Sequence, residues 1–429
     1  MRRRADIARQ RGVALLLVLI ALAVLGAMTV DLMEDDSVYV ASAVNSRDAV
    51  EAEYLARSGV NLSRLMLSVQ PLLGSSFNFP FWQYADMIME PFTAAKAGDK
   101  AGDKGGAGAA DDEAAADDEG GGSMLEEMAG IDLSGAEGLG LPPGEEFSVK
   151  IVDEESKIQV NVGSENKRAR DLAVQELMSL TSPVQYDALF ERAAGDDKFF
   201  GRPEIICEML DFADPDEDLC DLSGGEDASF YDNDDAPYLR KNAPYDSLEE
   251  LHLVKGIGDD FWSAFVDPDP TDPERRVMTV WGKGRVNVNT ASPQTLLAEV
   301  CYLASDDSGV GACSDPASLA NLAQILQGVV LIRSFMPFGS VSDFLGAIEN
   351  PQEKLFLPVP GIPLAQERKR IARKVLTTQS TVFSIYSEGT VGNARKRIHA
   401  VVDMEGLDVI DPTKSVSASG GKILYWRMD

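Results

Sequence analysis

Histidine is nearly absent from this chain: His252 and His399 are the only two in 429 residues. Four cysteines occur, and no two of them stand as C-x-x-C. The local cysteine and histidine spacing of the usual zinc sites is therefore missing. His252 sits between Leu251 and Leu253 in a helical pattern, His399 sits in a strand pattern, and neither has a nucleophile partner. The sequence has no G-x-S-x-G, P-loop, H-E-x-x-H or G-x-G-x-x-G motif. Carboxylates are so frequent that any pair of them would be accidental. The chain reads as a non-enzyme.

Positive charge is also scarce. Lys and Arg number 39 against 70 Asp and Glu, for a net charge of -31 and a pI near 4.4. That balance repels nucleic acid and anionic lipid head groups, and it favours solubility and cation binding. What the chain does have is one long apolar run at its start. Arg2, Arg3, Arg4, Arg9 and Arg11 precede Gly12, and Val13 to Val30 carries no charged residue. As a helix that run is about 27 Å long, at the short end of what spans a bilayer core. Acid follows at once, at Asp31, Glu34, Asp35 and Asp36, so the arginine end stays in the cytoplasm and the acidic side crosses. A secretory signal peptide cut near Ala21-Leu22-Ala23 is the plain alternative. Against it, the run is long for a signal peptide, and a helical pattern continues through Val44, Leu55, Leu62, Leu65, Met66 and Val69 until Pro71. The expectation is a basic leader over residues 1–12, then one helix over 13–70, a membrane anchor (13–30) that becomes an amphipathic stem (31–70).

Basic leader, Gly12, apolar helix and amphipathic continuation resemble the class III signal of type IV pilins and type II secretion pseudopilins. The resemblance implies cleavage by a prepilin peptidase after Gly12 and a mature, usually methylated N-terminus at Val13. Most of that family carries Glu at mature position five, where it neutralises a neighbouring subunit's amine; here the residue is Leu17. A carboxylate among leucines is costly to bury, and without an amine to meet it the position is better apolar. The missing Glu is similar to the K-type minor pseudopilin (general secretion pathway protein K), which the family places at the filament tip.

The remainder divides by composition. Residues 94–146 are Gly, Ala, Asp and Glu with a few Lys, too apolar-poor to offset the entropy of ordering, and read as a mobile acidic insertion. Phe147, Val149 and Ile151 alternate with polar residues, as do Ile158, Val160 and Val162; with Asp153–Lys157 as turn material they predict a β-hairpin. Alternation returns in Thr381–Glu388, Arg397–Met404 and Lys422–Met428, with Gly389 and Gly392-Asn393 as turn markers. Residues 147–162 and 376–429 thus form the expected sheet, and 163–375 an inserted α-domain. The resulting fold class is α+β: a pilin-like transmembrane and amphipathic helix packed on an antiparallel sheet, with a large helix-hairpin-helix or SAM-like α-helical insertion.

Within the insertion, Asp214, Asp216 and Asp218 have the spacing of the first three oxygen ligands of a calcium loop. It is not an EF-hand, since the sixth position is Leu219 and the twelfth Gly225. Asp211, Glu226, Asp227 and Asp232 add carboxylates, and the resemblance to K-type proteins associates calcium with this segment. The alternative is a solvated acidic loop. The cysteines fall as local pairs, Cys207 with Cys220 and Cys301 with Cys313. Two short-loop disulfides fit an oxidising compartment, and buried free thiols are the alternative.

Ser247 with Glu250 forms a capping box, and Gly256-Ile257-Gly258 a tight hairpin into a second helix, which is a helix-hairpin-helix signature. Asp259 and Asp260 after the glycines would repel phosphate, and Trp262 with Phe265 is a core pair. The segment at Tyr245, the opening VNVNTAS at Val286 and FGSVSDFLGAI at Phe338 all match K-type segments. The resemblance implies I-type and J-type minor pseudopilins and the prepilin peptidase as partners, with cargo or the secretin at the tip. It also implies a single-pass inner-membrane location with the head in the periplasm. A DNA-uptake minor pilin using the helix-hairpin-helix units is the second reading, and a charge of -31 speaks against nucleic acid.

Overall fold

A computed structural model describes residues 2–74, 80–85, 145–161, 167–190, 201–215, 220, 240–304, 313, 315–405 and 421–429. The fold is α+β. Helix α1, Arg2–Gly74, is continuous from the arginine leader to the head. It runs through Pro71, four residues beyond the expected end, and it also includes the leader backbone. The antiparallel sheet has strand order β1-β6-β7-β8, with β1 Glu145–Asp153, β6 Val382–Val391, β7 Ala394–Asp403 and β8 Lys422–Met428. α1 lies across β1, β6 and β7.

The expected β-hairpin is not formed. β1 pairs antiparallel with β6, from Glu145 opposite Val391 to Asp153 opposite Phe383. The second half of the supposed hairpin, β2 (Ile158–Gln159), pairs in parallel with β3 (Met278–Thr279) inside the insertion. Likewise β5 (Leu376–Thr377) pairs with β4 (Val286–Asn287) and not with the sheet. The insertion therefore runs from 154 to 381, wider at both ends than the 163–375 read from composition. Alternation shows that a segment is a strand but not which strand it meets, and β1 finds its partner across the whole insertion. Of the two turn markers, Gly392-Asn393 turns β6 into β7, with φ +57° at Gly392. Gly389 lies inside β6.

Gly389 has another task. A Cβ there would sit 2.2 Å from the Ala52 carbonyl oxygen and 2.8 Å from the Ala56 nitrogen. On the helix side, a Cβ at Gly59 would sit 2.3 Å from Ser387 Oγ. Helix and sheet backbones approach closely here, and the buried helix face is accordingly small: Ala52, Ala56, Val60, Ser63 and Leu67. The large residues marked by periodicity are displaced from the centre of the contact. Leu55, Leu62 and Met66 are only partly buried, and Val44 and Leu65 are exposed. Across the contact stand Phe147, Val149, Ile151, Phe383, Ile385, Ile398, Ala400 and Val402.

The insertion has two cores. The first gathers α2 (Lys167–Thr181), α3 (Arg202–Ala213), a 3-10 turn at Leu248–Leu253 and the Asp259–Val266 helical segment around Phe212, Leu251 and Phe265. The second gathers α4 (Pro293–Leu303), α5 (Pro316–Arg333), α6 (Val341–Glu349) and α7 (Gln366–Val375) around Leu296, Leu322 and Phe344. Burying each such side chain contributes ~1.5–3 kcal/mol. Ser292, Asp315 and Ser340 cap α4, α5 and α6 by accepting from backbone N–H groups one turn on.

Gly389→Val should lower stability by about 1–3 kcal/mol, because backbone atoms stand where the new side chain would go. Gly346→Ala, in open space on α6, should raise it by ~0.5–1 kcal/mol. Urea denaturation of the full chain in detergent distinguishes the two signs.

Candidate functional site

The functional features are an exposed helix, a tethered acidic segment, and a polar junction that joins the insertion to the sheet. Gly12 and Val13 lie on the continuous backbone of α1. From Leu15 to Val30 the described apolar side chains are all exposed, Leu17 at 61%. The helix is long and apolar enough to cross a membrane. The part that packs on the sheet lies in its second half, so the apolar run and the stem belong to one continuous helix.

Cys207 and Cys220 are joined by a disulfide, as are Cys301 and Cys313, with Cα–Cα distances of 5.2 and 5.5 Å. The first bond ties the acidic segment back to α3. Asp211, buried on α3, accepts from the Cys220 backbone N–H at 3.0 and 3.1 Å through its two oxygens. Burial pushes its carboxyl up to about 6, against the pull of that hydrogen bond and of Arg240 and Arg170. Asp214 caps α3 and is ion-paired with Arg170. Asp216, Asp218, Glu226, Asp227 and Asp232 lie outside the described residues, as do 94–144 of the acidic insertion. The donors are all hard oxygens, which suits calcium and not zinc. Asp211 could donate to such an ion directly; at Asp214 the ion would compete with the Arg170 guanidinium.

Where the pattern predicts two helices joined by a hairpin, the chain makes a 3-10 turn over Leu248–Leu253 and a short helical segment over Asp259–Val266. The capping box of Ser247 and Glu250 opens a 3-10 turn, Gly256 takes φ +86°, and Asp259 begins the next helical turn. His252 stacks on Trp262 with ring centroids 4.2 Å apart, while Phe265 is fully buried. These aromatic side chains serve packing. His399 stacks on Tyr386 at 4.3 Å, and burial lowers its pKa to about 4, so it stays neutral.

The feature that sequence reasoning missed is Asp153–Lys157, read as turn material. All five residues are buried. Lys157 Nζ pairs with Glu154 Oε1 at 3.1 Å, and Ser384 and Thr279 donate hydroxyls to the same carboxylate. Burial opposes the charge on Glu154, but Lys157 and these donors outweigh it and hold the pKa below the usual carboxylate range. Asp153 accepts from Ser380 Oγ at 2.6 Å, Thr290 Oγ1 at 2.5 Å and Asn287 Nδ2 at 3.4 Å. Glu155 accepts from the Thr381 backbone N–H at 2.6 Å. Asn289 holds Phe338 and Thr378 by their main chains. The asparagines and threonine of VNVNTAS thus act as a polar clasp. Five consecutive hydrophilic residues resemble an exposed turn in sequence, and apart from the Glu154–Lys157 pair and the bonds within the turn itself, the partners that satisfy them lie more than 100 residues away.

Burial raises Asp153 from 3.8 to about 7, despite the hydrogen bonds from Ser380 and Thr290. Between about pH 4 and 7 the folded chain therefore holds a proton that the unfolded chain has released. Stability falls as pH rises through that window, by about 4 kcal/mol for this group. Asp153→Asn removes the titration, so its stability relative to the parent should increase from pH 5 to 7.5 and then level. Parallel urea melts across that range check this; equal slopes for the two proteins would refute it.

No family model and no curated protein matches the chain. Among solved structures, it is similar to a chain in the crystal structure of the GspK-GspI-GspJ complex from the enterotoxigenic Escherichia coli type 2 secretion system. The identity is 16%, the match covers 67% of this chain and 81% of that chain, and the TM-score is 0.44.

Proposed function

We propose that this chain is a non-enzymatic K-type minor pseudopilin at the tip of a type II secretion pseudopilus, where it initiates assembly and supports protein export. One observation carries the reading. A single helix is bare and apolar from Leu15 to Val30 and packed on an antiparallel sheet from Ala52 to Leu67, and the sheet is interrupted between β1 and β6 by an insertion with two cores among the described residues. The bare half enters the inner membrane beside the helices of I-type and J-type partners. The insertion obstructs a subunit stacked above, which suits the end of a filament. Leu17 suits it too, since a subunit with no neighbour above need not meet that neighbour's amine. Prepilin peptidase cuts after Gly12, and the head lies in the periplasm.

Processing and partnership are tested together. N-terminal sequencing of the protein purified from its native membrane should start at Val13, and candidate I-type and J-type subunits should co-purify with it in mild detergent. A start beyond Ala23, with no partner retained, would identify an ordinary secreted protein instead. A low-salt DNA-binding assay addresses the second reading, and the charge of -31 predicts no binding.

The acidic segment after α3 binds calcium in this reading, with Asp211 and Asp214 at the end of α3 and Asp216, Asp218, Glu226, Asp227 and Asp232 as further donors. Chelation of the full chain should lower Tm by several degrees and added calcium should restore it. A ligand at 100 times its Kd stabilises by about 2.7 kcal/mol. A Tm indifferent to both treatments ends the calcium proposal and leaves the filament role standing.

A further inference from the structure

β8 is the outer strand of the sheet, and among the described residues nothing pairs with its far side. Arg397 and Asp429 exchange both backbone hydrogen bonds, at 3.1 and 2.9 Å. Antiparallel pairing alternates from there, so Arg427 and Tyr425 also turn their backbone groups toward β7. Trp426 and Met428 turn their N–H and C=O groups outward. Natural sheet edges are usually blunted by proline, by charge or by bulges. Here the irregularity is confined to the start of the strand, near Val401/Val402, and residues 425–429 run regularly without proline.

The two faces at this edge differ. Met428, Trp426 and Ile423 stand opposite Ile398, Ala400 and Val402, on the side of the sheet that holds α1. α1 covers β1, β6 and β7, and it touches the start of β8 through Arg64, which donates to the Gly421 carbonyl at 3.1 Å. Beyond that point the face is open, with Trp426 39% and Met428 41% exposed. On the opposite side, Arg427 and Tyr425 border a cleft of about 970 Å³ between the sheet and the first core of the insertion. Trp281 lies 5.8 Å from Tyr425 in that wall. Arg395 and Arg397 share one carboxylate, Glu388, while Arg427 has Asp429. On this wall of the cleft three arginines meet two acids, while elsewhere in its lining Lys150, Lys157 and Arg276 balance Glu154, Asp246 and Glu249, so the positive excess is confined to β7 and β8.

We propose that the β8 edge is a docking site for an extended segment of a partner protein, which adds to the sheet as its next strand. The outward backbone groups of Trp426 and Met428 select a strand, because a helix has no free ladder to offer them. Side chains of the incoming strand alternate between faces. Those on the stem side meet Trp426 and Met428 and are apolar. Those on the cleft side meet the arginines and are acidic. The partner segment therefore alternates apolar and acidic residues.

The probe is a fluorescent eight-residue peptide alternating valine and glutamate, titrated into the full chain in detergent micelles by anisotropy. Two versions N-methylated on alternate residues each block one edge of the peptide backbone. Saturable binding is expected, with only one of the two methylated versions weakened tenfold or more. Amide exchange at Trp426 and Met428 should slow at least tenfold when the peptide is bound. Met428→Pro removes an outward N–H and leaves the β7 ladder intact, so it should weaken binding tenfold or more at unchanged Tm. Absence of binding overturns the proposal, and so does equal binding of both methylated versions. Protection of the same amides by raised protein concentration without peptide would assign the edge to a second copy of this chain, and would also overturn it.

Discussion

The insertion hangs on a buried ion pair at the point where the chain leaves the sheet. Glu154 and Lys157 are nearly inaccessible to water and 3.1 Å apart, and Asp153 and Glu155 beside them are held by groups that return from residues 287–290 and 380–381. Removing one member of such a pair strands a charge in the interior at a cost of about 3–5 kcal/mol. The arrangement therefore works as a single unit. It fixes the exit of β1 against the entry of β6, so that a two-core insertion can interrupt a sheet without breaking its register.

The stem contact solves a different problem. A helix that lies against a sheet through leucines would stand off by the length of those side chains. Gly59, Gly389, Ala52 and Ala56 bring the two backbones together instead. The apolar run therefore continues, on one unbroken helix, into a close backbone contact with the sheet.

Parts of this were legible from residues alone. Arg11, Gly12 and the uncharged run to Val30 mark an anchor, since few other uses exist for so long an apolar stretch. The strands at Val382, Ala394 and Lys422 follow from period-two alternation. The two cysteine pairs sit at separations of 13 and 12 residues, short enough to be read together. The acidic residues after α3 were legible as candidate ligands by spacing, although only Asp211 and Asp214 fall within the described structure. The hairpin at Asp153 was misread because a buried polar stretch and an exposed turn have the same composition.

Sequence by itself determined the long apolar N-terminal helix, the α+β class and the acidic character of the chain, because these depend on hydropathy, periodicity and charge, which are properties of a segment and its neighbours. Tertiary structure alone decided which strand β1 meets, that Gly59, Ala52 and Ala56 and not Leu55 or Leu62 sit at the centre of the stem contact, and that Asp153–Lys157 lie inside the protein. Each of these rests on partners far along the chain. The pKa of Asp153, the clasp formed by Asn287, Asn289 and Thr290, and the open edge of β8 exist only once those distant segments have been brought within hydrogen-bonding reach.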